Sequence, residues 1–323
     1  MIEPISAANG QNGEQGPDPW SGPSHLRAIQ ESAVTLFLLL CASITVLTTA
    51  GIILVLGFES LAFFRMSGIS LFDFLAGSEL RPDAEPPTFG ILPLIWGTFV
   101  VAGGAALIAL PIGLLSAIYL SEYAHRGVRA VLKPALELLA GIPSIVYGYL
   151  AFMLVTPILK WIFGHWDISV EPLNALSACI VVGVMIIPMV SSLSEDVFSA
   201  VPRGLREAGY GLGATKFEVS TRIVLPAGLS GVVASFILAL SRAIGETMAV
   251  VLAAGMRPQI TLNPLTSIET MTTYIVAVTN GDASYGTPNY LSLFAVGITL
   301  FGMTLTLNVL SGLVLRRYRE VYQ

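Results

Sequence analysis

Six stretches of this chain run for about twenty residues or more with few polar side chains: 33–58, 89–120, 134–162, 173–194, 225–255 and 290–315. A helix needs about twenty such residues to cross a hydrocarbon core about 30 Å thick. The pattern predicts six membrane-spanning helices, and because several stretches exceed the minimum, tilts or kinks are expected. Residues 1–32 are polar and rich in Gly and Pro, which predicts a disordered tail. The tail lacks a basic start, and the apolar run behind it is too long and has no small-residue cleavage pattern. The first helix is therefore expected to remain in place. The membrane-spanning body then covers residues 33–323.

Composition agrees, with 54% hydrophobic residues, 11% charged residues and a mean hydropathy of +0.77, above the balance of a soluble domain. The placement of charge adds an orientation. On one side of a six-span chain fall Arg27, the group Arg126, Arg129 and Lys133, the group Arg203, Arg206, Lys216 and Arg222, and the group Arg316, Arg317 and Arg319. The other side holds only Arg65, Arg81, Lys160 and Arg257. The basic side is expected to be cytoplasmic, which puts both termini inside. The acids Glu59, Asp73, Glu79, Asp83, Glu85, Asp167, Glu171, Glu269 and Asp282 gather on the outer side. No basic patch interleaved with aromatics points to nucleic acid. Cys41 and Cys179 read as small buried hydrophobes, and His25, His125 and His165 lack partners at metal-ligand spacing, so no metal site is expected.

The loop between spans four and five, residues 201–226, carries the most specific signal. Pro202 near a helix start, glycines at 209, 211 and 213, and an amphipathic stretch over 216–223 predict two short helices separated by a sharp turn. Tyr210, Leu212 and Phe217 could fill an apolar groove on a partner. The run Gly209-Tyr-Gly-Leu-Gly-Ala214 fits a dinucleotide fingerprint, but that motif needs a strand before it and is rejected between membrane helices. No phosphate-binding G-x-x-x-x-G-K-[ST] loop occurs either. The segment resembles the EAA loop of bacterial ABC importer permeases, E-A-A-x3-G-x9-I-x-L-P. Glu207, Ala208, Gly213, Ile223, Leu225 and Pro226 stand at matching offsets, and Gly209 replaces the second alanine. The resemblance implies a docking element gripped by a separate ATPase.

Within span five, Ser241-Arg-Ala-Ile-Gly-Glu-Thr-Met248 places two charges in the bilayer, each costing about 2.5–3.5 kcal/mol on insertion scales. Arg242 and Glu246 are four apart, hence within pairing reach on one helical face that Ser235 and Ala239 continue. One reading is an anion path, in which Arg242 offers a guanidinium fork to an oxyanion with Ser241, Glu246 and Thr247 beside it. The alternative is an ion pair that fixes helix registry. Gly141-Ile-Pro-Ser-Ile-Val-Tyr-Gly148 is expected to break span three, with Ser144 and Tyr147 as candidate path donors. Gly97, Gly103, Gly104 and Gly113 suit close helix packing, and residues 267–276 suggest a short interfacial helix.

The run Ser241–Val250, S-R-A-I-G-E-T-M-A-V, together with residues 109–123 and 137–148, resembles PstC-type phosphate permeases. That resemblance implies an all-α integral membrane protein with six transmembrane helices, of the type I ABC importer permease kind, in the bacterial cytoplasmic (inner) membrane. It implies phosphate as substrate and a PstA-like sister permease. It also implies a pair of ATP-binding subunits and a periplasmic or lipid-anchored phosphate-binding protein. ATP and Mg would be used by the ATPase partner, with no cofactor or enzymatic step in this chain. A permease for tungstate, molybdate or sulfate, a PstA-like phosphate permease, an ion-gradient transporter or channel, and a signalling scaffold are the rival readings.

Overall fold

The structure, a computed structural model, describes residues 24–281 and 283–318. The tail expected over 1–23, Asp282 and Arg319 lie outside them. The chain divides into two units, residues 1–55 and 56–323. The first holds most of a long helix, α1 (Ser24–Ser67), so residues 24–32 are helical rather than tail. Gln30, Glu31 and Ser32 are polar without breaking a helix, and no Gly or Pro follows Pro23 before Gly51.

The second unit continues through α2 (Leu71–Ala76) and a minimal hairpin, β1 (Leu80–Arg81) with β2 (Thr88–Phe89). Then come α3 (Leu92–Ile118), α4 (Arg126–Ala140), α5 (Ser144–Gly164), α6 (Ala175–Ala200), α7 (Arg203–Gly211), α8 (Lys216–Ala227), α9 (Leu229–Ile244), α10 (Met248–Ala253), α11 (Met271–Asn280) and α12 (Pro288–Tyr318). Single π-helical turns close α3 and widen α5 and α8. Among the described residues, five helices are long and apolar enough to cross a membrane, and α8 with α9, bent by 71°, can supply a sixth.

Two spans differ from the pattern. Span three begins at Ser144, not at 134, because α4 is a separate amphipathic helix with no buried residue. Its apolar positions follow helical spacing but share the stretch with Arg129, Lys133 and Glu137, which need water or partners. Pro143 therefore sits at the N-cap of span three instead of in mid-span. Span five is three pieces: it bends at Gly228 and breaks again over Gly245–Thr247.

The core lies where α3 meets α6. Ala102, Ala105 and Ala109 of α3 are fully buried with Val182, Ile186 and Val190 of α6. Gly113 approaches so closely that an added Cβ would meet Val190 Cγ1 at 2.6 Å, whereas Gly103 would meet nothing and plays no part in the packing expected of it. A second cluster joins Phe63, Phe74, Phe89, Leu94, Met271 and Tyr274 at the start of α3, with ring centroids of Phe63 and Phe89 5.2 Å apart. Helix α11 contributes fully buried Met271 and Thr273 there, so it is a core helix rather than an interfacial one. Cys179 is buried but Cys41 is exposed: in a membrane span the apolar surroundings can be lipid as well as protein.

Candidate functional site

The turn after α7 is built by local chemistry. Gly213 takes a positive φ of 83°, Gly213 N–H donates to Tyr210 O at 2.9 Å and Ala214 N–H to Gly209 O at 3.1 Å. This is a Schellman ending for α7, and it needs a residue tolerant of the left-handed region. Thr215 then opens α8 with a capping box: its Oγ1 accepts from Glu218 N–H at 3.3 Å, and its N–H donates to Glu218 Oε2 at 3.0 Å. The result is a rigid elbow of two helices, as the glycine spacing predicts. Gly209, the departure from the motif, is buried, and a Cβ there would meet Ile223 Cδ1 at 2.5 Å. The glycine lets α7 lie on α8. Glu207, Ala208 and Pro226 are exposed, and Ile223 and Leu225 are half-buried beneath. Leu212 and Phe217 stand 90% and 68% exposed at the tip.

Two ion-pair clusters fasten this elbow and α4 to the spans. Arg206 donates from Nη2 to Glu122 Oε1 at 2.9 Å, from Nη1 to Val201 O at 2.6 Å and from Nη2 to Phe198 O at 2.7 Å. One guanidinium thus caps the end of α6 and ties α7 to the last turn of α3. Glu195 of α6 has a side chain 1% exposed and pairs with Arg129 and with Lys133, the latter at 2.7 Å. Ser199 Oγ also donates to it, at 2.9 Å. Those hydrogen bonds to Glu195 and Asp196 hold the Lys133 ammonium above its usual pKa. The sequence reading used these basic residues only as markers of sidedness. Two carboxylates, Glu122 and Glu195, closing spans at the basic end were the signal it left unused.

The Arg242–Glu246 pair is not formed. Gly245 ends α9 before Glu246, so the i,i+4 relation of a continuous helix is lost. Glu246 is 9% exposed and turns to α10 instead, its Oε1 accepting from Ala249 N–H at 3.3 Å. Its backbone carbonyl accepts from Thr272 Oγ1 at 3.0 Å. Arg242 is exposed and has no ion pair among the described residues. Ser235 and Ala239 are buried as expected, and the Ser241 hydroxyl is buried without a hydrogen-bond partner among the described residues. Thr247 Oγ1 donates to Gly245 O at 3.2 Å. Span three does reach this break, since a Cβ on Gly148 would lie 3.0 Å from Ala249 Cα. Tyr147, however, spends its hydroxyl on Leu139 O at 2.9 Å, and Ser144 is half-buried beside it. Among the described residues no group of three or more His, Cys, Asp or Glu could hold a metal ion.

Residues 109–320 match the family described as binding-protein-dependent transport system inner membrane component. The "Phosphate transport system permease protein PstC" of Mesorhizobium japonicum is 34% identical over 317 residues, covering 90% of this chain and 95% of that protein. A protein of the same description from Xylella fastidiosa is 38% identical, covering 78% and 80%. A "Probable ABC transporter permease protein YqgH" of Bacillus subtilis is 32% identical, covering 86% and 88%. Among solved structures, a bacterial ABC transporter involved in import of the acidic polysaccharide alginate superposes with a TM-score of 0.60 at 17% identity, covering 92% of this chain and 99% of that one. At that identity the likeness concerns the fold alone.

Proposed function

Because this chain belongs to the family of binding-protein-dependent transport system inner membrane components, we propose that it is one of two membrane subunits of an ATP-driven importer of inorganic phosphate. It is a multi-pass membrane component; ATP hydrolysis lies in a separate subunit, and a substrate-binding protein supplies the cargo. The finer reading adds a PstA-like sister permease, two ATP-binding subunits using ATP and Mg, and a phosphate-binding protein outside. Relatives described as PstC phosphate permeases and the S-R-A-I-G-E-T-M-A-V run favour phosphate over other oxyanions.

The observation that carries the reading is Arg242, a guanidinium left exposed on a span beside a helix break. A charge at that depth is too costly to face lipid and calls for water, a partner surface or an anion. A path between this subunit and its sister meets all three needs, with Ser241 and Thr247 adjacent. Sidedness follows from the basic residues: the elbow of α7 and α8 faces the cytoplasm, where Glu207, Leu212 and Phe217 meet the ATPase. ATP binding would pull the elbow, and Arg206 would pass that movement to α3 and α6.

The test is radiolabelled phosphate uptake into proteoliposomes holding this chain, its sister, the ATPase and the binding protein. ATP-dependent accumulation that excess sulfate or molybdate does not compete away is expected. ATP hydrolysis without phosphate entry would overturn the substrate and leave the importer class standing.

A further inference from the structure

A cavity of about 1050 Å³ opens beside the start of α3, bordered by Arg81, Asp83, Arg257, Glu269, Tyr274 and Asn289. Helix α3 has 27 residues and so spans about 40 Å, which separates this cavity from the elbow by roughly a membrane's thickness. Two acceptors in the cavity wall have no donor among the described residues. Glu269 is 4% exposed, and its carboxyl is pushed up to about 7 by burial alone. The Oδ1 of Asn289 is buried with no donor among the described residues, while its Nδ2 donates to Asp83 at 3.3 Å. The backbone of Glu269 is pressed against Gly97 of α3, where any Cβ would collide with it, so the carboxylate is held in the wall. A buried acceptor without a donor is rare because it forfeits its hydration; the Asn289 oxygen is one, and with the Glu269 carboxyl lining the same cavity it points to a ligand that brings N–H groups.

Size and position select the ligand. An oxyanion displaces about as much volume as three waters, roughly 90 Å³, and would leave most of this cavity filled with solvent. It also has no N–H to offer. A protein loop fits both counts. We propose that the cavity is a socket for a loop of the substrate-binding protein, in which Glu269 and Asn289 accept from one lysine or arginine. This rests on the import reading above, which places the cavity on the outer face. Arg81 and Arg257 are both exposed at its border, and Arg257 is only loosely tied to Glu171 at 3.4 Å. They suit carboxylates flanking the basic residue on that loop.

The experiment uses the assembled complex in nanodiscs and phosphate-loaded binding protein as the probe, with affinity read by biolayer interferometry. Loss of one partner from a desolvated charge pair predicts a Kd about thirtyfold weaker for Glu269→Gln. Basal ATP hydrolysis should be unchanged and the Tm at least that of wild type. Glu85→Gln, an exposed acid on the same hairpin outside the cavity, should bind as wild type. Wild-type affinity in Glu269→Gln would overturn the socket and leave the import reading untouched. Saturable phosphate binding by the complex alone, lost in Glu269→Gln, would overturn it in favour of an ion site. A wild-type complex that captures no phosphate-loaded binding protein would overturn the import reading, and the socket with it.

Discussion

The carboxylate of Glu122 is 6% exposed and has Arg206 as its one ion-pair partner among the described residues, so Arg206→Ala leaves this buried charge with only the Ser121 hydroxyl and takes from the Val201 carbonyl its side-chain donor. Breaking a buried pair from one side costs about 3 kcal/mol or more. The expected result is a complex that still hydrolyses ATP but takes up far less phosphate per ATP, measured by running both assays on one proteoliposome preparation. At Arg242, Arg242→Gln should abolish uptake while the complex still purifies intact; normal transport by that variant would reject the anion path. Glu246 separates two roles. Glu246→Gln keeps an oxygen for Ala249 N–H and should leave Tm near wild type, whereas Glu246→Ala loses the cap, about 1 kcal/mol. At this scale the sequence was half legible. It marked Arg242 and Glu246 as costly, but their pairing presumed a continuous helix, and Gly245 ends it.

Among elements, the elbow of α7 and α8 was the most legible, because its fold depends on contacts within about ten residues: a glycine at positive φ, a capping box, a helix start at Pro202. Helix α4 was not, since whether an amphipathic stretch joins a span or lies apart depends on Glu195, more than sixty residues away. Glu207→Lys should weaken co-purification of the ATPase without lowering Tm, because Glu207 is exposed and has no ion pair among the described residues. Helix α11 and its approach carry a pH signature. The Glu269 carboxyl titrates near 7 in the fold and near 4.5 unfolded, with Arg81, Asp83, Arg257 and Tyr274 around the same cavity. The unfolded chain gives up its proton first, so stability falls as pH rises from about 4.5 through 7 and is level above. Glu269→Gln should therefore stabilise the fold at pH about 8 by on the order of 3 kcal/mol, seen as a higher Tm, and give no gain near pH 4. Thermal unfolding at the two pH values decides it.

For the whole molecule, hydropathy alone gave the class and five of the six crossings, the sixth being the bent pair of α8 and α9, because the bilayer allows little besides helices. It could not give the division of span five, where single glycines decide. The packing of α3 on α6 is a shared core for both faces, with Ala105 and Ala109 fully buried. Gly113→Leu would drive a side chain into Val190 and is expected to cost 1–3 kcal/mol, seen as a lower Tm of the assembled complex. The tip of the elbow has a further consequence. Leu212 and Phe217 are exposed greasy knobs, and the docking proposed above would cover them. A copy made in excess of its motor displays them continuously, which is what chaperones and membrane proteases survey. On the docking proposed above, the same two side chains would thus meter the subunit's own abundance, and pulse-chase should show a shorter lifetime when the ATPase is withheld, restored by Leu212→Ser with Phe217→Ser.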